Sequence, residues 1–251
     1  MNRHHLLALV AAAAFAPLAA AQTVDEVIAK NIEAKGGLQK LKSVETLRMT
    51  GKMSLGPGIE APATIEFKRP SKVRMEITIQ GGVGVQAFDG KTGWSISPFG
   101  GKKEPEPMSA ESLKDMEEQS DLDGPLVDYK AKGHTVEILG KEAVEGSDAY
   151  KLKVTLKNGD LRYFYLDADS YLDIKTNSKR NIRGSEVEIE TSISDYKEVG
   201  GLLFPHSFQS GAKGRPERQS IVVEKIELNP AIDDARFVMP AAAPSGTPRQ
   251  D

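Results

Sequence analysis

Cysteine is absent from this chain of 251 residues, and histidine occurs only four times. Without cysteine there can be no disulfides, no cysteine-ligated zinc or iron–sulfur site, no thiol catalysis and no lipid on an N-terminal cysteine. His4 and His5 lie in a segment that we expect to be removed, and His134 and His206 are far apart in sequence. The sequence therefore predicts no metal site, no cofactor and no catalytic residue.

A surplus of positive charge is also lacking. The chain has 33 Lys and Arg against 36 Asp and Glu, which gives a formal net charge of −3. A nucleic-acid-binding surface normally needs a basic surplus to meet the phosphates. We therefore expect no nucleic-acid partner.

Long apolar runs are missing after the N-terminus. A basic start, an apolar run at residues 6–18 and small residues at 19–21 predict a signal peptide over residues 1–21, cleaved before Gln22. The run is shorter than the roughly 20 residues that a membrane-spanning helix needs. We expect a mature protein that is soluble and exported, which in a bacterium with two membranes means the periplasm.

Apolar periodicity divides the remaining chain into a short helical part and a long β part. Residues 23–26 have the spacing of a capping box, and a helical apolar stripe follows it. From Thr46 onward the period changes to two, in segments separated by turn sequences such as Asn158-Gly159. We count about eleven strands, more than a flat open sheet carries without curling. The sequence predicts a mainly β, strongly bent antiparallel sheet or barrel.

One domain over residues 22–240 accounts for this pattern, because no internal repeat divides it. The tail at residues 241–251 has two prolines, small residues and no apolar period, and we expect it to be disordered. The one long interruption of the strand series lies at residues 100–133. Such a segment is either a separate cover on the sheet or a mobile functional loop. Its apolar side chains, which we expect on the underside of a cover, are Leu113, Met116, Leu126 and Val127.

The apolar faces of the predicted strands are candidates for a ligand cavity. For any single residue the default interpretation is an ordinary core position. However, a barrel of about eleven strands is wider than one of eight, which side chains alone can fill. Methionine suits a cavity for variable acyl chains, because its side chain is flexible. The candidate cavity residues are Met49, Met53, Ile65, Phe67, Met75, Ile77, Val85 and Trp94.

Enzyme interpretations have weak support. His134 and His206 are candidates for a base or a metal ligand, but no cluster with metal-ligand spacing accompanies them. Asp167 and Asp169 are candidates for an acid–base pair, yet carboxylates two residues apart in a turn usually favour the turn itself. We therefore expect a protein that is not an enzyme and rank a hydrolase third among the functional classes.

Three motifs occur in order along the chain: FKRP at residues 67–70, FDGKTGWSISPF at 88–99 and AIDDARFVMP at 231–240. In sequence and approximate spacing they resemble the periplasmic lipoprotein carriers of the LolA-like superfamily. Residues 33–38 and 121–133 look more like the broad group of outer-membrane lipoprotein-sorting proteins than like the dedicated carrier. The resemblance implies a half-open antiparallel β-barrel, with an apolar concavity that helices cover and that takes up acyl chains.

The same resemblance implies a function and its partners. It suggests a periplasmic carrier or binding protein for a lipoprotein or another acyl-bearing ligand, with lipid or lipoprotein acyl chains as partners. An inner-membrane donor and an outer-membrane acceptor would then complete the transfer. The alternative is an envelope interaction or stress-sensing module on the same fold, with a filled or vestigial cavity, because one fold hosts unrelated functions.

Arg69 is the candidate gate. It continues the parity of Ile65 and Phe67, so its side chain should rise from the apolar side of the strand, just before Pro70 ends it. An arginine at a strand end often merely extends to solvent. The resemblance instead implies that the arginine of the K-R-P motif holds the helical cover shut through hydrogen bonds to the cover's backbone. A guanidinium, with five donors, suits that task.

Overall fold

The computed structural model describes residues 22–56, 58–97, 104–182 and 185–241. The expected signal peptide, the first four residues of the interruption at 100–133 and residues 242–251 of the expected tail lie outside this range. Among the described residues, no helix is long and apolar enough to cross a membrane.

Within the described residues, thirteen antiparallel strands form one open sheet, in the order β6-β5-β4-β3-β2-β1-β13-β12-β11-β10-β9-β8-β7. The strands are β1 (Thr46–Gly56), β2 (Ile59–Lys68), β3 (Lys72–Ile79), β4 (Gly82–Phe88), β5 (Gly93–Ile96), β6 (Glu106–Pro107), β7 (Thr135–Val144), β8 (Ser147–Thr155), β9 (Leu161–Asp167), β10 (Asp173–Ile182), β11 (Ser185–Val199), β12 (Leu202–Ala212) and β13 (Gln219–Leu228). The predicted mainly β, half-open architecture is confirmed.

Three helices and a 3₁₀ turn accompany the sheet in the described part of the chain: α1 (Val24–Ala34), α2 (Leu38–Lys42), α3 (Ala110–Gln119) and the turn Asp234–Arg236. The predicted capping box begins α1, where Thr23 Oγ1 accepts from Glu26 N and Thr23 N donates to the Glu26 carboxylate. A helix can form here because both ends of its first turn are satisfied by side chains.

The two strands that the sequence pattern missed, β6 and β7, are the two edges of the sheet. β6 has only two residues. β7 places Val136 and Ile138 opposite Val154 and Leu152, but its register then shifts before Gly140. Edge strands bury few side chains and often carry such irregularities, so their apolar alternation is short.

The strand register separates two faces. Leu47, Phe67, Val73 and Phe88 lie opposite one another across β1 to β4, and α2 and α3 pack on this side, which we call the inner face. Arg48, Glu66, Arg74, Ala87 and Trp94 form the next row and belong to the outer face.

The inner face is concave. The evidence is that α3 contacts strands that are far apart in the sheet. It packs on β4 and also forms ion pairs with β9 and β10. β4 and β9 are eight strand positions apart, which would be about 38 Å in a flat sheet. A helix of 10 residues is only about 15 Å long. The two ends of the sheet therefore curve toward each other around the inner face.

Three covering elements divide the inner core. α1 and Leu126 cover Leu152 and Val154 of β8, and α2 with Leu122 covers the cluster around Leu47 and Leu202. The third cluster lies under α3.

Candidate functional site

Helix α3 has two different sides that meet the two ends of the sheet. Ser109 caps it by accepting from Ser112 N at 3.2 Å. Leu113 and Met116, three residues apart, share one side of the helix and pack with Val73 and Phe88; Met116 is 3% exposed. The predicted cover residues Leu113 and Met116 therefore lie over the inner face.

The other side of α3 is acidic and faces β9 and β10. Arg162 Nε donates to Glu118 Oε1 at 2.6 Å, and Arg162 Nη2 pairs with Glu118 Oε2. Arg180 pairs with Asp115. Apolar packing thus joins α3 to the β3–β4 end of the sheet, and charge joins it to the β9–β10 end.

Gly93 allows α3 to approach β5. A Cβ atom at this position would lie 2.8 Å from Met108 Sδ and 2.9 Å from Leu113 Cδ1. Both distances are shorter than real Cβ contacts, so a side chain at Gly93 would force the ends of the Met108 and Leu113 side chains to shift.

Beyond α3, the cover crosses to the second half of the sheet. Leu126 is 4% exposed and packs against Leu152 and Val154, while Val127 is also 4% exposed. All four predicted cover residues are thus at least partly buried, in the described part of the segment at 104–133. Whether the cover moves stays a prediction.

Arg69 joins β2 to α2 and to the cover. Its Nη1 and Nη2 donate to the two Asp123 carboxylate oxygens at 2.9 and 2.6 Å. Its Nε donates to Val44 O at 2.7 Å and its Nη2 to Leu41 O at 3.1 Å. The backbone carbonyls that Arg69 binds belong to α2 and the residues after it, not to the cover as the resemblance implied. The bond to the cover is an ion pair, and its role in gating stays a prediction.

The pKa of Asp123 is sensitive to this arrangement. Its side chain is 4% exposed, and burial opposes its ionisation; hydrogen bonds from Arg69 and Lys42 outweigh burial and lower the pKa from 3.8 to about 2. Lys42 also bonds to Asp128 at 2.8 Å. The latch, by which we mean Arg69, Lys42 and Asp123, therefore holds a charged carboxylate at neutral pH.

Six of the eight predicted cavity residues share the inner face. The register places them on β1, β2 and β3, where none is fully buried: Met49, Met53, Ile65, Phe67, Met75 and Ile77. Ile65 and Phe67 pack with the α3 cluster, and Met49 packs with the α2 cluster. Their binding role stays a prediction.

The structure does not bring Val85 and Trp94 to the inner face. They pair with the outer-face residues Glu76 and Ala87, respectively, so their placement in the cavity is corrected. Trp94 is 2% exposed, and its Nε1 donates to Phe237 O at 2.8 Å. The motif at 231–240 covers this side of the sheet. The outer face therefore has an apolar core of its own at β4 and β5, and apolar character alone did not reveal on which face Val85 and Trp94 lie.

Sequence reasoning also missed the apolar residues on the inner face of the other half of the sheet. On β9 to β13, partly buried apolar side chains share the inner face with Leu152 or Met53 through the strand register: Phe164, Ile189, Ile193, Phe208 and Ile221. We call these five residues, together with Met53, Ile65, Met75 and Ile77, the inner trough. Period-two alternation in these strands was the available signal.

A cavity of about 620 Å³ opens where strand turns from both halves meet the cover. Its lining includes Phe88, Leu156, Asp121, Lys132 and His134. Lys132 Nζ bonds to Asp121 at 2.6 Å, and His134 Nδ1 accepts from Lys157 N at 3.0 Å. Burial lowers the pKa of His134. The cavity therefore has a mixed lining, in which apolar side chains lie beside charged ones.

The histidines have structural partners. Besides His134, His206 is 5% exposed and its Nδ1 lies 3.0 Å from Phe204 O. In the part of the chain that the structure describes, no group of three or more His, Asp or Glu is placed to hold a metal ion.

Three solved structures share this architecture. A DUF1329 family protein from Desulfovibrio piger is 13% identical and superposes with a TM-score of 0.59 over 86% of this chain and 97% of its own. A LolA superfamily protein from Nitrosomonas europaea is 12% identical, with a TM-score of 0.57 over 87% and 98%. A domain assigned to the outer membrane lipoprotein-sorting proteins, from Vibrio parahaemolyticus, is 12% identical, with a TM-score of 0.56 over 84% and 97%.

The chain has a LolA-like fold, as its three motifs predicted. No family model matches the sequence. No curated protein matches it either. At 12–13% identity the likeness concerns the fold, and function must be argued from the site.

Proposed function

We propose that this protein is a periplasmic carrier or binding protein for a lipoprotein or another acyl-bearing ligand, and that it acts by binding rather than by catalysis. The LolA-like fold supports the class, and the signal-like residues 1–21 support export. The acyl chain would enter from an inner-membrane donor and leave to an outer-membrane acceptor.

The observation that carries this proposal is the inner trough. Its nine apolar side chains lie on the concave side of the sheet and remain half-buried. Burying a methylene is worth about 0.8 kcal/mol, so a long acyl chain gains considerable free energy there. Met53 and Met75 belong to the trough, and flexible thioether side chains adapt to chains of different shape.

The cover controls access in this proposal. Helix α3 rests on the sheet through a small apolar contact and through the ion pairs of Arg162 and Arg180, whereas Leu126 further along the cover is buried in the cluster under α1. The movable part in this proposal is therefore α3. Ion pairs and a small apolar contact can be exchanged without unfolding the sheet. Opening of the cover would expose the trough, and closing would shield the acyl chain from water.

A charge placed in the trough tests the proposal. Ile77 is half-buried on the inner face, while its neighbour Thr78 is exposed on the outer face. We expect Ile77→Glu to reduce binding of palmitate by tenfold or more, because a carboxylate resists burial beside an acyl chain. Thr78→Glu, the matched control, should bind like the unmodified protein, as measured by calorimetry on delipidated protein.

Lipid mass spectrometry of protein isolated under native conditions provides the second readout. Co-purified acyl lipids that disappear in Ile77→Glu and persist in Thr78→Glu would support a carrier. If delipidated protein binds no acyl ligand and none co-purifies, the proposal is wrong. An envelope interaction or stress-sensing module would then be the better assignment.

A further inference from the structure

Charged side chains on the outer face of the second half pair with one another across neighbouring strands. Lys153 bonds to Glu137 at 2.9 Å, Lys175 to Glu190 at 3.0 Å and Lys179 to Glu186 at 2.6 Å. In each pair both partners belong to the sheet. Such pairs remain satisfied whatever covers the sheet.

The inner face of the same strands differs. The register places Val154, Arg162, Ser178 and Ile189 in one row across β8 to β11, with Arg180 two residues beyond Ser178. Arg162 and Arg180 are therefore two cations in a wall that is otherwise apolar or hydroxylated. The side chain of Arg162 is only 7% exposed.

The partners of these two arginines come from the cover. Glu118 binds Arg162 through both carboxylate oxygens, and Asp115 binds Arg180. The only other carboxylate near Arg162 in the described residues is that of Asp160, at 4.0 Å, and it also pairs with Lys114 of α3. When α3 leaves the inner face, the Arg162 guanidinium loses both of its bonds to Glu118, and another anion with two oxygens can replace them.

We propose that Arg162 and Arg180 form a binding site for the anionic headgroup, a phosphate or a carboxylate, of the acyl-bearing ligand. In the closed state Asp115 and Glu118 of α3 occupy this site in place of the headgroup. The inference rests on the proposed function, because it assigns one end of the ligand that the trough holds.

The geometry of the guanidinium supports this assignment. Its donors form a planar fork that fits carboxylate and phosphate oxygens equally well, so a ligand phosphate can take the place of Glu118. The site also adjoins the trough, since Phe164 follows Arg162 on the same face of β9, and Ile189 lies in the Arg162 row. A headgroup bound to the arginines thus leaves its acyl chain beside apolar residues.

This arrangement couples binding to opening. The headgroup and the α3 carboxylates compete for the same two guanidinium groups, so an anionic ligand weakens the attachment of α3 as it binds. An uncharged amphiphile with the same chain lacks this effect. The protein should therefore prefer anionic amphiphiles.

The test compares three probes below their micelle-forming concentrations: dodecyl phosphate, dodecyl maltoside with the same chain and no charge, and inorganic phosphate with no chain. Calorimetry on delipidated protein gives the affinities. Arg180→Gln should lower the affinity for dodecyl phosphate by about tenfold or more, since one charge-assisted contact is lost. The affinity for dodecyl maltoside should stay unchanged. Lys179→Gln, the neighbouring cation on the outer face, is the matched control and should change neither.

Two double variants complete the test. Arg162→Gln combined with Glu118→Gln replaces a buried ion pair by two amides and so avoids an unpaired charge. This double variant should also lower the affinity for dodecyl phosphate and leave that for dodecyl maltoside unchanged. Asp115→Asn with Glu118→Gln frees both arginines and should strengthen dodecyl phosphate binding by about tenfold. Glu186→Gln, on the outer face of the same β10–β11 hairpin, should have no effect.

Each outcome separates the two proposals. Equal weakening of dodecyl phosphate and dodecyl maltoside by Arg180→Gln, or no weakening of either, would overturn the headgroup site and leave the carrier proposal intact. Inorganic phosphate that binds as tightly as dodecyl phosphate would indicate a free-anion site and also overturn it. Failure of both amphiphiles to bind would overturn both proposals.

Discussion

The two faces of the sheet are covered in different ways. On the outer face, the turn Asp234–Arg236 and Phe237 close over β2 to β5, and Phe237 is 0% exposed. Glu66 is 2% exposed, and its carboxylate accepts hydrogen bonds from Arg48 Nε at 2.8 Å and from Arg236 Nε at 2.6 Å. On the inner face, α3 is joined to β9 and β10 by ion pairs, while Leu126 further along the cover is buried in the cluster under α1, and the trough stays half-buried.

This difference indicates which cover is permanent. Removing the outer segment would expose Trp94 and leave Glu66 without Arg236, so it should stay in place as long as the sheet is folded. The attachments of the inner cover to Arg162 and Arg180 are contacts that an anionic ligand can replace. The outer segment is therefore part of the core, and the inner cover is a candidate for movement.

The largest expected effect comes from the outer face. Phe237→Ala should lower the free energy of unfolding by about 3–5 kcal/mol, because it leaves a cavity where a fully buried ring stood. Urea unfolding measures this loss. The preference for dodecyl phosphate over dodecyl maltoside should not change, because the residue does not touch the inner face.

Val238→Ala is the neighbouring control, since Val238 is 50% exposed. It should alter the free energy of unfolding by less than about 0.5 kcal/mol. A Phe237→Ala protein that unfolds like the Val238→Ala protein would contradict the structural role of the outer segment.

The two faces also explain what the sequence revealed. Period-two alternation identified eleven strands and placed Arg69 on the correct side, because the parity of Ile65 and Phe67 extends to it. In β4 the same alternation led to a wrong prediction for Val85. Val85 and Ala87 face outward, while the inner-facing positions include Gly84 and Gln86. The tertiary contacts of Trp94 with Phe237 and Arg74 accompany this apolar outer face, and no local pattern contains them.

The α3 ion pairs were hidden for a related reason. Arg162 and Glu118 lie on different elements, and their meeting depends on how strongly the sheet curves. Strand count predicted curvature, but not which strands meet α3. The headgroup site was therefore inaccessible to sequence reasoning, whereas the apolar wall on β1 to β3 was not.

Arg69→Leu probes the inner cover and should have the next largest effect. It removes two bonds to Asp123 and two to backbone carbonyls. Charge-assisted bonds are worth about 1.5–3 kcal/mol each, so we expect a folded protein whose release of a bound acyl ligand is about 10- to 100-fold faster. Stopped-flow transfer of a fluorescent fatty acid to acceptor vesicles measures the rate.

The matched control is Lys72→Leu, which removes an ion pair with Asp234 on the outer side. Its transfer rate should equal that of the unmodified protein. Unchanged transfer by Arg69→Leu, with binding confirmed, would mean that Arg69 is only a structural residue at the end of β2.

The latch also predicts a pH dependence. Asp123 has a folded-state pKa of about 2 against an ordinary value of 3.8. Because the folded value is the lower one, its stabilisation is present above about pH 4 and is lost as the pH falls toward 2. The shift corresponds to about 2 kcal/mol. Urea unfolding between pH 2 and 5 should show this loss, and Asp123→Asn should remove it.

Asp234 gives the comparison on the outer face. Its pKa is also lowered to about 2, by hydrogen bonds from Lys72 and Lys68, but its side chain is 60% exposed. Solvent screens such a pair, so Asp234→Asn should change the pH profile less than Asp123→Asn does. Equal effects of the two substitutions would contradict the buried character of the latch.

The smallest expected effect concerns the contact of α3 with β5. Gly93→Val would place a branched side chain where Met108 Sδ and Leu113 Cδ1 already lie within 3 Å of a Cβ. We expect the amides of α3 to exchange about tenfold faster, which corresponds to about 1.4 kcal/mol. Exchange in β1 and β13, at the centre of the sheet, should stay unchanged.

Ser95→Val controls for the change of strand propensity, because Ser95 lies two residues further along β5, on the same face. It should leave α3 exchange as it is. In Gly93→Val the weaker attachment of α3 should also favour dodecyl phosphate over dodecyl maltoside more strongly, since the competing carboxylates are withdrawn from Arg162 and Arg180. Faster exchange throughout the sheet would instead mean that the inner cover, like the outer segment, is part of the permanent core.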